Sequence, residues 1–200
     1  VQAARCTGSG RWPPFVQSGG PQQGTTELAS HMTRIKTYGL MLATLVVLLD
    51  QAVKYAMIVP LSLQSKGTIY LLPIFSLTWA ENKGVSMGMF QAGTDAQRWM
   101  LVALTGVLAL AVLVWMWRER RLGDVLALGA ILGGAIGNII DRARFGYVVD
   151  YADFHVGGIR PFFIFNLADA CITIGVLILL ARALLMRDKP DQRNSENVHA

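Results

Sequence analysis

The 200-residue chain has little charge. Lys, Arg, Asp and Glu together make up 16% of it, whereas soluble domains carry about 25%. Hydrophobic residues reach 53% and the mean hydropathy is +0.42. That balance excludes an ordinary water-soluble domain and points to an integral membrane protein. The formal net charge of +5 is then poor ground for a nucleic-acid partner, because basic residues in membrane proteins mark cytoplasmic loops. Cysteine is scarce too. Cys6 lies in a polar tail and Cys171 in an apolar run, so neither a disulfide framework nor a zinc site is expected. His31, His155 and His199 are scattered, without metal-ligand spacing, and no metal or other cofactor is expected. There is no HExxH, no Ser/His/Asp constellation and no Cys/His pairing. For hydrolysis, paired carboxylates are the available chemistry.

What is there falls into segments. Residues 1–31 are rich in Gly, Pro, Ser, Thr and Gln with no apolar period. They read as a disordered leader or a remnant of expression, with "ASHM" as a cloning junction and Met32 as the natural start. The functional unit is expected over residues 32–187, followed by a polar cytoplasmic tail, 188–200. Within the unit are four apolar runs, about Tyr38–Ile58, Trp99–Trp117, Asp124–Ile140 and Leu167–Leu185. Each is near the roughly 17–25 residues that a spanning helix needs. Arg34 and Lys36, the "RERR" at 118–121, and Arg182, Arg187, Lys189 and Arg193 all fall on one side if there are four spans. That side is cytoplasmic by the positive-inside rule, with both termini on it. The longer connections, about 59–98 and 141–166, then face outward. "FSLTWA" alternates like a half-buried strand, and Gly157-Gly158 sits between two β-prone runs. The expected fold class is an α-helical membrane protein with four transmembrane helices and a small β-sheet at the outer interface. Thr94 or Asp95 is expected to cap the second span. Gly129, Gly133 and Gly137 recur every four residues, which reads as close packing inside the bundle.

The costly polar groups converge. Asp50 and Lys54 lie toward the outer end of the first span, Asn138, Asp141 and Arg142 at the outer end of the third, and Asn166 and Asp169 at the outer end of the fourth. Asn82 and Asp150 lie in the outer connections. A carboxylate in hydrocarbon costs roughly 2.5–3.5 kcal/mol, less near the interface, so acids gathered at one depth suggest one site. Each residue also has a plainer reading. Asp50 and Lys54, spaced i, i+4, can pair as an anchor. Asp141 and Arg142 can end a helix and meet lipid phosphate. Asn166 is a good N-cap, which puts Asp169 at N3, where an acid favours the helix dipole. Intramembrane acids also mark ion paths, but a transporter or proton channel predicts acids spread through the bilayer depth. A non-catalytic lipoprotein-binding scaffold is the other rival.

Four blocks resemble the lipoprotein signal peptidase (signal peptidase II) family. "DQAVK" (50–54) is similar to its Asp-Gln-x-x-Lys, and "ENKGVSMGMF" (81–90) to its Asn-x-Gly block. "GNIIDRARFGYVVDY" (137–151) is similar to its Gly-Asn-x-x-Asp-Arg block ending in Val-x-Asp, and "FNLAD" (165–169) to its Phe-Asn-x-Ala-Asp. The resemblance implies an aspartyl membrane protease of the bacterial inner membrane that needs no metal. Its catalytic acids would be Asp150 and Asp169. Asp50, Lys54, Asn82, Gly84, Asn138, Asp141, Arg142 and Asn166 would be supporting or substrate-binding residues. The implied partners are a diacylglyceryl-modified prolipoprotein, cut just before its lipid-modified cysteine, membrane lipid, and cyclic-peptide inhibitors such as globomycin. The implied site faces the periplasm, and nothing in the sequence suggests more than a monomer. Two flanking departures are Met87, where an aromatic is common, and Tyr151, where Phe is frequent. A further expectation makes the glycine-rich segment 84–96 a mobile lid.

Overall fold

Long apolar helices need a partner for every backbone polar group, and in this chain they supply those partners internally. The computed structural model describes residues 21–84, 95–156 and 159–185, with side chains from Met32 onward. Four helices are long and apolar enough to span a membrane: α1 (Pro21–Ile58), α3 (Asp95–Arg118), α4 (Leu122–Phe145) and α5 (Leu167–Leu185). A short helix, α2 (Leu63–Lys66), follows α1. The strands β1 (Thr68–Leu72), β2 (Phe75–Asn82) and β3 (Val148–Phe154) form one antiparallel sheet in the order β1-β2-β3.

Helix α4 is the most enclosed of the four spans and packs against α1, α3 and α5. Its small residues explain why. A methyl group at Gly133 would lie 2.6 Å from the Ala43 carbonyl oxygen of α1, and one at Gly137 would lie 2.6 Å from the Asp50 carboxylate. The glycine stripe is thus a seam inside the bundle, as its spacing suggests. Around it Ile35, Ala43, Met116, Val125, Leu128 and Leu132 form an apolar core. Leu48, Leu104, Val107, Ile178 and Leu184 remain exposed on the helices, as suits faces that meet lipid.

Several boundaries differ from the sequence reading. Helix α1 begins at Pro21, so part of the expected leader is helical in its backbone; residues 1–20 and 188–200 lie outside the described residues. Helix α4 passes through Asp141, Arg142 and Arg144 to Phe145, because Asp141 turns inward to Lys54 and Arg144 stays exposed beside the Phe145 ring rather than ending the helix. It stops at Gly146, whose φ of 85° is left-handed and whose N–H returns to the Arg142 carbonyl at 3.1 Å. Arg98 of α3 also donates from Nε to the Arg142 carbonyl at 2.7 Å and from Nη2 to the Ala143 carbonyl. Asp95 is the first residue of α3 rather than its cap, and Thr94, the other capping candidate, lies outside the described residues.

The sheet is built differently from the simple hairpin the sequence suggests. The run after Gly157-Gly158 pairs only at two isolated bridges, Val156 with Ile159 and Ala152 with Phe165. Pro161 lies in that run and has no N–H to give a ladder. The turn glycines themselves lie outside the described residues. The real partner of β3 is β2, and Ser76 of "FSLTWA" is buried opposite Asp153 rather than facing solvent. A register shift between Leu77 and Ala80 brings Ala80 opposite Asp150, a bulge beside the polar cluster that re-aims the strand. A second apolar cluster, Leu63, Leu77, Tyr151 and Ala152, fastens the sheet to the end of α1.

Candidate active site

The ends of α1, α4 and α5 nearest the sheet bring together residues that are far apart in sequence. Lys54 of α1 is 2% exposed and lies between two acids: Nζ is 2.8 Å from Asp50 Oδ2 and 2.7 Å from Asp141 Oδ2. It also donates to Asn138 Oδ1 at 3.2 Å. Gln51 Nε2 donates to Asp141 Oδ1 at 2.9 Å and to Asp50 Oδ2 at 3.3 Å. Both acids also accept from backbone. Asp50 Oδ1 accepts from Ala168 N at 3.1 Å, and Asp141 Oδ2 from Val149 N at 3.1 Å. A buried ion cluster is tolerated when its members are paired and its lone pairs filled. This cluster meets that condition and ties α1, α4, β3 and α5 together.

The start of α5 has its orphan N–H groups satisfied one by one. Leu167 N donates to the Tyr151 hydroxyl at 3.2 Å, Ala168 N to Asp50, and Asp169 N to Asn166 Oδ1 at 2.9 Å. Asn166 is therefore the cap and Asp169 the third helical residue, as the sequence pattern implies. The Asp169 carboxylate turns into the bundle, where Oδ1 accepts from Asn138 Nδ2 at 2.8 Å. Asn166 Nδ2 donates to Asp150 Oδ1 at 2.6 Å and to Asn138 Oδ1 at 3.3 Å. Two asparagines thus join Asp150, on β3, to Asp169, on α5. Among the described residues neither acid has an ion-pair partner.

Asp150 is 2% exposed. Burial pushes its pKa up to about 6, and the neighbouring charge of Asp169 adds to the rise. Hydrogen bonds from Asn166 and Asn82 and the charge of Lys54 oppose it. Asn82 closes the site from β2, and its Oδ1 accepts from Gly84 N at 2.9 Å in a tight turn. Gly84 has φ of 81°, and a Cβ there would meet Leu101 Cδ1 at 2.8 Å. Both features favour glycine. Arg142 is within electrostatic reach of Asp141, Asp150 and Asp169, and its buried Nε has no hydrogen-bond partner among the described residues. All ten residues singled out from the sequence thus gather at one end of the bundle. The segment expected to act as a lid falls mainly on residues 85–94, outside the described residues, as does Met87.

Three contributors were not singled out. Gln51 stands in the "DQAVK" block yet had no role assigned; its position one residue from a buried acid was the available signal. Tyr151 is a flanking departure in sequence, but its hydroxyl caps α5, a bond that Phe cannot make. Asp153 is 1% exposed and held by Thr78 Oγ1 at 2.9 Å and Arg160 Nη2 at 3.1 Å; only the strand pairing reveals it. A Gly-x-Ser-x-Gly spacing does occur at 84–88, but Ser86 lies outside the described residues. The one histidine whose side chain is described, His155, packs edge-on against Tyr70. Among the described residues no three His, Cys, Asp or Glu side chains gather as metal ligands. Asp50 and Asp141 share Lys54 instead.

Comparison with known proteins bears on this arrangement. A family model described as "Signal peptidase (SPase) II" matches residues 42–185. The chain is 59% identical over 159 residues to a lipoprotein signal peptidase of Sphingopyxis alaskensis, covering 80% of this chain and 92% of the relative. It is 52% identical over 162 residues to one of Rhizorhabdus wittichii, covering 81% and 93%. Two solved bacterial membrane enzymes, determined by the in meso method at 2.3 and 1.9 Å, share 27% and 28% identity with it, with TM-scores of 0.61 and 0.63. They cover 79% and 76% of this chain, and the match spans 93% and 94% of theirs.

Proposed function

The chain belongs to the signal peptidase II family, aspartic peptidases that remove the signal peptides of prolipoproteins, and from that premise we infer that Asp150 and Asp169 are its catalytic pair. The observation that carries this is the linkage of the two acids through Asn138 and Asn166, with no cation bound to either among the described residues. A carboxylate locked to a lysine is already occupied by that ion pair. One held by amides can still take up a proton.

Two coupled acids in a low-dielectric site do not both ionise readily, so the pair holds one proton between them. The ionised member removes a proton from the attacking water as the oxygen bonds to the scissile carbonyl carbon. The protonated member hydrogen-bonds the carbonyl oxygen and stabilises the tetrahedral intermediate. Collapse breaks the C–N bond, and a proton passes to the leaving amine. Asn138, Asn166 and Asn82 hold the carboxylates in place during this exchange, which fixed partners do better than mobile ones. Asp50, Lys54 and Asp141 position the elements that carry them, and Arg142 supplies positive charge nearby.

The same reading gives the enzyme a place. The basic ends of the spans lie in the cytoplasm of a bacterial cell and the sheet rests at the periplasmic face of the inner membrane. The substrate is a diacylglyceryl-modified prolipoprotein, cut just before the modified cysteine. Its acyl chains stay in lipid while the peptide bond meets carboxylates at the interface. Cyclic peptides of the globomycin type compete for this site, and the protein acts as a monomer. Cleavage of a diacylglyceryl prolipoprotein in detergent or bilayer tests the assignment. Asp150→Asn and Asp169→Asn should each fold and each fail to cut. An active, folded Asp169→Asn protein would reduce Asp169 to a helix cap and overturn the pair.

A further inference from the structure

The loop that leads from β3 back to α5 divides the surface above the two acids into two grooves. One, of about 790 Å³, contains Asp150 and is bordered by Glu81, Lys83 and Arg160. The other, of about 490 Å³, contains Asp169 and is bordered by Phe154, Phe165 and Ile174. Phe162 and Phe163 line both and form the wall between them. A substrate lying across the carboxylate pair therefore has an apolar channel on the α5 side and a polar channel on the β2 side.

Arg160 is the unusual feature of the polar channel. Its side chain is 59% exposed, yet its Nη2 is anchored 3.1 Å from the Asp153 carboxylate, which is 1% exposed. Asp153 in turn accepts from Thr78 Oγ1 at 2.9 Å and lies opposite Ser76 in the sheet. Among the described residues no other partner of Arg160 is recorded. A guanidinium has five donors; here one edge is held by the sheet and the rest are offered to the groove. Of the other charged groups of the channel, Lys83 Nζ lies 3.7 Å from Glu81 and Asp150 is held by Asn166.

We propose that the polar groove receives the mature polypeptide just beyond its lipid-modified cysteine, and that Arg160, positioned by buried Asp153, selects there for a hydrogen-bond acceptor or an acidic side chain. The inference rests on the signal peptidase reading above and adds the subsite for the released side of the substrate. The chemistry follows from the two linings. The peptide before the cut and the acyl chains carried by the cysteine just after it are apolar and belong to the membrane, so the channel edged by α5 suits them. The chain after the cut leaves toward water and meets the charged channel. A cation placed there would face Arg160, and an acid would complete its fork.

The test is a set of three diacylglyceryl prolipoproteins with Asp, Ser or Lys as the second residue of the mature chain. They are compared by kcat and KM in bilayers of neutral lipid. Wild type should cut the Asp substrate with kcat/KM about three- to fivefold above the Lys substrate, the range expected for an exposed charge contact, and mainly through KM. Arg160→Gln, which keeps an amide donor for Asp153 and is checked for folding by its unfolding curve, should level the series. Arg160→Lys should keep the order with a smaller spread. Asp153→Asn should weaken the preference by releasing Arg160. A preference that survives Arg160→Gln overturns the proposal. So does an equal loss for all three substrates, and if that loss grows with anionic lipid in the bilayer it assigns Arg160 to lipid headgroups. A wild type that cuts all three alike defeats only this inference, whereas one that cuts none defeats the signal peptidase reading and this inference with it.

Discussion

Two pairs of aspartates lie within the same end of the bundle and are treated in opposite ways. Asp50 and Asp141 share Lys54, at 2.8 and 2.7 Å. Asp150 and Asp169 are held by asparagine amides, at 2.6 and 2.8 Å. Asn138 joins the two layers, accepting from Lys54 and Asn166 through Oδ1 and donating to Asp169 through Nδ2. The lysine-bound pair shares one cation and also accepts from the backbone of β3 and α5. The amide-bound pair keeps a carboxylate whose pKa is raised to about 6. On the proposed assignment, similar side chains serve as a fastener in one layer and as a proton exchanger in the other, and the difference is the partner each has been given.

The comparison can be broken most severely at its two ends. Asp150→Asn or Asp169→Asn should lower cleavage at least about a hundredfold, the low end for loss of a general acid or base, with unfolding curves in detergent unchanged within error. Lys54→Met should do the reverse in kind, removing the fold itself. It strands two buried carboxylates, at a cost of about 3–5 kcal/mol, visible as a lowered midpoint of unfolding. Equal stability losses for the Lys54 and Asp169 variants would erase the distinction between the layers.

The titration of Asp150 sharpens the same contrast. Between the ordinary value of 3.8 and about 6, the folded protein holds a proton that the unfolded chain has lost, so this group's contribution to stability falls as pH rises across that window. Cleavage by a singly protonated pair should fall as pH rises through the upper value. Asp169→Asn removes a like charge and should move the Asp150 titration down. Asn82→Ala removes a bond to the ionised form and should move it up. Carboxyl chemical shifts read against pH would check both, and a shift of opposite sign in either would remove the coupling.

Smaller effects are expected away from the acids. Tyr151→Phe leaves Leu167 N without the hydroxyl it donates to, at a cost of about 1 kcal/mol, measurable in stability with cleavage retained. At the opposite end of the bundle Asp124 and Arg182 join α4 to α5. Arg182→Gln should cost about 1 kcal/mol or less, as partly exposed pairs do, and leave the rate of cleavage unchanged.

The helical class, the number of spans and the fourth helix from Leu167 to Leu185 were legible because hydrocarbon thickness imposes a length on apolar runs. So was the cap at Asn166, since capping is a local matter of three or four residues. The glycine stripe announced a close seam by its spacing, though not that α1 would fill it. The sheet was only half legible. β1 carries no clean alternation, and the partner of β2 is a strand more than 60 residues away. Nor did sequence spacing reveal that Gln51 reaches Asp141, that Tyr151 closes the start of α5, or that Asp153 holds Arg160.

By itself, then, the sequence determined which residues had to sit at one depth in a membrane, because charge in hydrocarbon is costly and its positions along each span are fixed by the rise of a helix. Spacing offered the Asp50–Lys54 pair, and the resemblance set Asp150 and Asp169 apart, but neither showed what holds each carboxylate. Only the packing of α1, α4, α5 and β3 decided that Asp141 would share the lysine and that asparagine amides would hold Asp150 and Asp169. A carboxylate's proton affinity follows from the partner and the burial that tertiary structure assigns to it.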